Sequence, residues 1–146
     1  MVPPSDPCSM LPHTDAMCLL DTLVSWDESG IRCTAVSHRY PDNPLRLDGR
    51  LAAVHSIEYA SQACALHGAL CATGWRATPA RLLLAAANQV ELAPVDLSRL
   101  PAPLEIMAWR EFGGADGAIY RFTVSSGGQR IAGGRLTVMA TERCGS

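Results

Sequence analysis

The chain has 146 residues and a hydrophobic fraction of 48%, enough for one domain with a real core and no need of metals or disulfides as staples. Twelve basic residues against fourteen acidic ones leave a formal charge of −2, which offers no electrostatic footprint for nucleic acid or an anionic membrane. The six cysteines (8, 18, 33, 64, 71 and 144) contain no CxxC pair and no zinc-ribbon spacing, so they read as buried or free thiols of a cytoplasmic protein.

Residues 1–10 hold three prolines and no basic segment followed by an apolar one; they are expected to be a poorly ordered lead-in rather than a signal peptide. No apolar run reaches the roughly 20 residues of a membrane span. Met17 to Trp26 is apolar and reads as a strand, Asp27-Glu-Ser-Gly30 as a turn, and Ile31 to Ser37 as a second strand in which Ile31, Cys33 and Ala35 alternate with Arg32 and Thr34. Together they predict a hairpin. His38 to Gly49, with Pro41, Asn43, Pro44 and Asp48, has loop chemistry.

A long helix is predicted from Leu51 to Thr73 and closed by Gly74. Its many alanines and Gly68 give it a thin apolar profile, unlike a surface helix with a charged face. Four extended segments follow, at 80–92, 104–111, 118–125 and 129–141, with glycine-rich turns at 113–117 and 126–128. The order β-β-α-β-β-β-β predicts an α+β domain spanning 1–146, a six-stranded antiparallel sheet wrapped around one central helix. Six strands cannot cover such a helix on every side, so the exposed remainder predicts self-association.

Polar side chains interrupt that apolar helix, three of them on one face. At 100° per residue His55, Glu58 and Gln62 fall within about a 60° arc, and burying a carboxylate costs several kcal/mol, roughly, unless it is paired or its protonation serves a purpose. Desolvation on an apolar helix raises a carboxyl pKa, which suits Glu58 to the role of acid, with Gln62 one turn on to orient it. The structural alternative pairs Glu58 with Arg46 or Arg50. His38, framed by Pro41 and Pro44 after the second strand, is the candidate base. Helix N-terminal amides near Gly49 to Ala52 are candidates to polarise a carbonyl oxygen. His13 and His67 suit structural hydrogen bonding, and His55 a place in the pocket wall. His55-x-x-Glu58 is not HExxH and no Cys completes a ligand set, so no metal is expected. GxSxG, Walker and GxGxxG motifs are missing.

These residues carry a resemblance. Leu11-Pro-His13 with Ala16-Met-Cys-Leu-Leu-Asp21, and Asn43-Pro-Leu-Arg-Leu-Asp-Gly49-Arg-Leu51 with Ile57-Glu58-Tyr-Ala-Ser-Gln62, resemble the "LPH…LLLD" and "NPL…G.L…IEYAAQA" segments of hotdog-fold β-hydroxyacyl-ACP dehydratases, in the divergent branch related to aryl polyene clusters. The resemblance implies a hotdog fold and dehydration of a 3-hydroxyacyl thioester, on acyl carrier protein or CoA, to the 2-enoyl thioester in fatty acid or polyene-type biosynthesis. It implies no cofactor, with His38 and Glu58 catalytic and contributed by opposite subunits along an acyl tunnel. Asn43, Gly49 and Leu51 are implied as substrate contacts.

The His38 loop departs from the family's His-Phe-Pro-Gly-x-Pro by one extra residue and the loss of glycine, which keeps His13 and His55 open as alternative bases. The expected partners are the acyl thioester, acyl carrier protein, and a second hotdog subunit, in a homodimer, a higher homo-oligomer or a hetero-oligomer. A hotdog thioesterase and a non-catalytic partner subunit are the competing functions.

Overall fold

The computed structural model describes residues 18–73, 82–113 and 117–140. The lead-in over 1–10, His13 and the helix stop at Gly74 lie outside them. The elements follow the expected order: β1 (Thr22–Trp26), β2 (Gly30–Ala35), α1 (Ser56–Thr73), β3 (Leu82–Leu92), β4 (Leu104–Gly113), β5 (Gly117–Ser126) and β6 (Gln129–Ala140). The strands form one antiparallel sheet in the order β1-β2-β4-β5-β6-β3. With one long helix against it, this is the α+β hotdog architecture.

Alternation decides which side of the sheet meets the helix. Ile31, Cys33 and Ala35 of β2, Leu104, Ile106 and Ala108 of β4, Tyr120, Phe122 and Val124 of β5, and Leu136 and Val138 of β6 are buried in one cluster with Tyr59, Ala63, Cys64, Leu66 and Leu70 of α1. Full burial of each large apolar side chain contributes about 1.5–3 kcal/mol. Gly30 packs tightly against β4, where a Cβ would lie 2.5 Å from the Ala108 carbonyl oxygen. Covering of α1 is more complete than expected. Among the described helix side chains, Ile57, Glu58, Ser61, Gly68 and Cys71 stay half-exposed while those between are buried, so the open stripe is narrow.

Three boundaries shift, each for a hydrogen-bonding reason. β1 begins at Thr22 rather than Met17, because the Leu19 N–H and C=O are taken by the Gln62 and Ser37 side chains and cannot join a ladder. β2 ends at Ala35, since the Val36 N–H turns to the Asp21 carboxylate and a 3-10 turn follows over Ser37–Arg39. The helix begins at Ser56, after a 3-10 turn over Ala53–His55, rather than at Leu51. Leu51 is held extended instead, its N–H donating to Asp96 Oδ1 at 3.0 Å and its carbonyl accepting from Leu97 N at 2.8 Å.

β1 and β3 are the edges of the sheet. β3 is eleven residues long and leaves Leu84 and Leu92 about two-fifths exposed, at 40% and 41%. No helix among the described residues is long and apolar enough to cross a membrane. Cys33 and Cys64 are buried thiols and Cys71 is half-buried; Cys18 departs from the all-thiol expectation, being disulfide-bonded.

Candidate active site

His38 lies in the 3-10 turn that follows β2 and is fully buried. Its Nε2 sits 3.0 Å from the Leu100 carbonyl oxygen. A carbonyl only accepts, so Nε2 carries the proton and the neutral ring holds its lone pair on Nδ1. That nitrogen is buried without a hydrogen-bond partner. Burial pushes the ring's pKa below its ordinary 6.5, the Arg39 charge adding to the effect, against the Leu100 and Ala102 backbone and the Asp21 charge. Near neutrality the ring is an uncharged base with one unused lone pair.

Glu58 sits in the first turn of α1, half-buried rather than sealed in the core. Gln62, one turn on and fully buried, donates from Nε2 to Glu58 Oε1 at 3.3 Å and accepts the Leu19 N–H on Oε1 at 2.8 Å. Because the peptide N–H only donates, the amide cannot flip without losing both contacts. The Leu19 carbonyl accepts the Ser37 hydroxyl at 2.7 Å, and Ser37 precedes His38. One chain of bonds thus runs from the carboxylate through Gln62, Leu19 and Ser37 to the turn that carries the histidine. The His38 ring itself hydrogen-bonds Leu100, not Glu58.

The remaining expected residues take other positions. Asn43 is buried: Nδ2 donates to the Ser37 carbonyl at 2.9 Å and to the Tyr59 hydroxyl at 3.2 Å, and Oδ1 accepts from Leu45 N at 2.8 Å. Its amide is therefore spent inside the chain. Leu51 is fully buried with Ala53, Leu97 and Ile131. Gly49 lies on an exposed two-residue turn whose residues Asp48 (φ 53°) and Gly49 (φ 74°) both adopt the left-handed region, as an Asp-Gly type I′ turn requires. Two of the amides expected to polarise a carbonyl are taken, Arg50 N by the Leu47 carbonyl and Leu51 N by Asp96. At the start of α1, Ser56 N is taken as well, by the Ala53 and Val54 carbonyls of the 3-10 turn.

His55 ends the 3-10 turn before the helix and is half-exposed. Arg46, one of the two arginines weighed as a structural partner of Glu58, reaches the His38 and Gly49 carbonyls, each at 3.4 Å. His67 is fully buried with both nitrogens committed, Nε2 at 2.7 Å to the Asp27 carbonyl and Nδ1 at 2.6 Å to the Tyr120 hydroxyl. Two surface cavities, about 370 Å³ beside Trp26 and Trp109 and about 310 Å³ beside Phe112 and Met139, are lined by neither His38 nor Glu58. Among the described residues no group of three or more His, Cys, Asp or Glu is placed to hold a metal ion.

Sequence reasoning missed Tyr59 and Ser37. Tyr59 is fully buried, its hydroxyl 2.8 Å from Ser37 Oγ, and burial raises its pKa above the ordinary 10. The available signal was a tyrosine in an alanine-rich helix immediately after the candidate carboxyl, since a buried phenol demands a partner.

Comparison with known proteins places the chain at two levels, fold and family. The chain resembles solved structures in fold: the dehydratase heterocomplex ApeI:P from Xenorhabdus doucetiae (18% identity, 98% of this chain and 93% of that one, TM-score 0.84), AziG from S. sahachiroi (13%, 92% and 99%, 0.62), and a mutant thioesterase, PA1618, from Pseudomonas aeruginosa (15%, 82% and 80%, 0.59). No curated protein matches. The ApeP-like family model, described as ApeP dehydratase, matches residues 5–145, nearly the whole chain and both segments that carry His38 and Glu58. The chain belongs to the ApeP-like family of dehydratases.

Proposed function

We propose that the chain is a catalytic subunit of a dehydratase that converts a 3-hydroxyacyl thioester, carried on acyl carrier protein, to the 2-enoyl thioester. The observation that carries this is the buried, unpartnered Nδ1 of His38, a neutral base in a family of dehydratases. His38 removes a proton from C2, and the C2 electron pair forms the C2=C3 bond as the C3–O bond breaks. Glu58, oriented by Gln62, is the general acid that gives the departing hydroxyl its proton, so that water leaves. Base and acid come from different subunits, which explains why His38 and Glu58 are not hydrogen-bonded within one chain.

The second subunit is another hotdog protein or a second copy. Two observations support such a partner: the long β3 edge with Leu84 and Leu92 exposed, whose backbone groups are a template for strand addition, and the structural likeness to a heterocomplex.

The test supplies a 3-hydroxyacyl thioester, on acyl carrier protein and in parallel on CoA, to the chain alone and co-expressed with a hotdog protein. Conjugated enoyl thioester is the expected product, formed faster from the carrier-bound substrate. Release of free thiol without enoyl product selects a thioesterase. Turnover by the complex that survives both His38→Ala and Glu58→Gln assigns this chain a non-catalytic role.

A further inference from the structure

The hydrogen bonds around the His38 turn permit a single proton order, and Tyr59 closes it. A serine hydroxyl has one proton. Ser37 gives it to the Leu19 carbonyl at 2.7 Å, so the 2.8 Å contact with Tyr59 requires the phenol to donate. The phenol oxygen is then an acceptor, and Asn43 Nδ2 serves it at 3.2 Å while giving its other proton to the Ser37 carbonyl at 2.9 Å. Ser37, Asn43 and Tyr59 are all buried, so bulk solvent has little access to replace a lost bond. Ser37 and Asn43 flank His38 in the chain, and Tyr59 is the point at which both are fastened to the helix that carries Glu58.

We propose that Tyr59 is a positioning residue for His38: its hydroxyl locks the Ser37–Arg39 turn so that Nε2 stays on the Leu100 carbonyl and Nδ1 stays open. This rests on the reading of His38 as the base. Without the hydroxyl, Ser37 Oγ loses its donor and one Asn43 N–H loses its acceptor, and the turn is free to rotate toward other partners. Small displacements of a reacting group are costly; a shift of about 1 Å lowers turnover by about a hundredfold.

Tyr59→Phe keeps the ring in the core and deletes only the oxygen. In the full-length protein, nitrogen NMR of the histidine side chains is expected to show the Nε2–H form of His38 in the parent and a mixture of tautomers in Tyr59→Phe, with His67 unchanged as an internal reference. In the dehydration assay kcat falls by about tenfold to a hundredfold while KM changes by less than about twofold. Ser37→Ala reproduces both effects, and Ser37→Thr, which restores a hydroxyl, reverses them.

An unchanged His38 tautomer in Tyr59→Phe and Ser37→Ala overturns the proposal, whatever the activity. If Tyr59→Phe does not fold, the Ser37 pair decides. If the parent protein forms no enoyl product either alone or co-expressed with a hotdog partner, the dehydratase reading fails on its own, and the tautomer readout still tests Tyr59.

Discussion

His38 and His67 are both fully buried, and burial lowers the pKa of both, yet they occupy their surroundings in opposite ways. The His67 ring donates from Nε2 to Asp27 and accepts the Tyr120 proton on Nδ1, with the Tyr120 ring edge-on at 5.4 Å. Every valence is filled, and the residue ties the β1–β2 turn, α1 and β5 together. His38 fills one valence and leaves the other open. A depressed histidine pKa is therefore no sign of function here; the unsatisfied lone pair is the informative difference.

The largest expected effects invert between the two sites. His38→Ala or Glu58→Gln lowers dehydration by about a hundredfold or more, and for Glu58→Gln the thermal midpoint stays close to that of the parent. His67→Leu does the reverse: it removes the acceptor of the Tyr120 proton and the donor to the Asp27 carbonyl, costs about 2–4 kcal/mol of stability, and leaves turnover per folded molecule intact. Denaturant titrations run beside the assay measure both. A His67→Leu protein that is stable but inactive would erase the distinction.

Acid sharpens the comparison next. For His67 the folded-state pKa lies below 6.5, so the unfolded chain binds more protons as pH falls through that value. Its contribution to stability is complete above about 6.5 and is lost as pH drops toward the folded-state pKa. His38 has the same sign. Denaturant midpoints between pH 7.5 and 5.5 are expected to fall, with a shallower slope in both His67→Leu and His38→Ala.

A smaller effect lies at the start of the helix segment. Asp96 Oδ1 accepts from Leu51 N, Ser98 N and Ser98 Oγ, holding residues 51–52 extended against the β3–β4 connection. Asp96→Ala is expected to cost about 1 kcal/mol, the usual loss for such a cap, read as a shift in the denaturant midpoint. Its effect on turnover is expected to be slight, since neither His38 nor Glu58 is bonded to it.

Much of this molecule was legible one residue at a time. The alternation Tyr120, Phe122, Val124 against Arg121, Thr123, Ser125 announces a half-buried strand, and the Asp27 to Gly30 and Asp48-Gly49 turns carry their own conformational signals. Glu58 and Gln62 share a helix face because four residues span little more than one turn, so their hydrogen bond was readable from spacing. Where the helix starts was not, because apolar Leu51 and Ala52 continue the pattern of α1 while Asp96, far along the chain, pulls them out of it.

The sequence by itself determined the order of strands and helix, the buried face of each, and the pairing of Glu58 with Gln62, since these depend on periodicity and local spacing. Only the tertiary structure decided what the histidines are. Which ring nitrogen is free depends on whether a carbonyl from a distant segment, Leu100 for His38 or Asp27 for His67, arrives within hydrogen-bonding reach. It likewise decided that Tyr59, Ser37 and Asn43 form one network, because that requires β2, the following loop and α1 to converge around the backbone of Leu19.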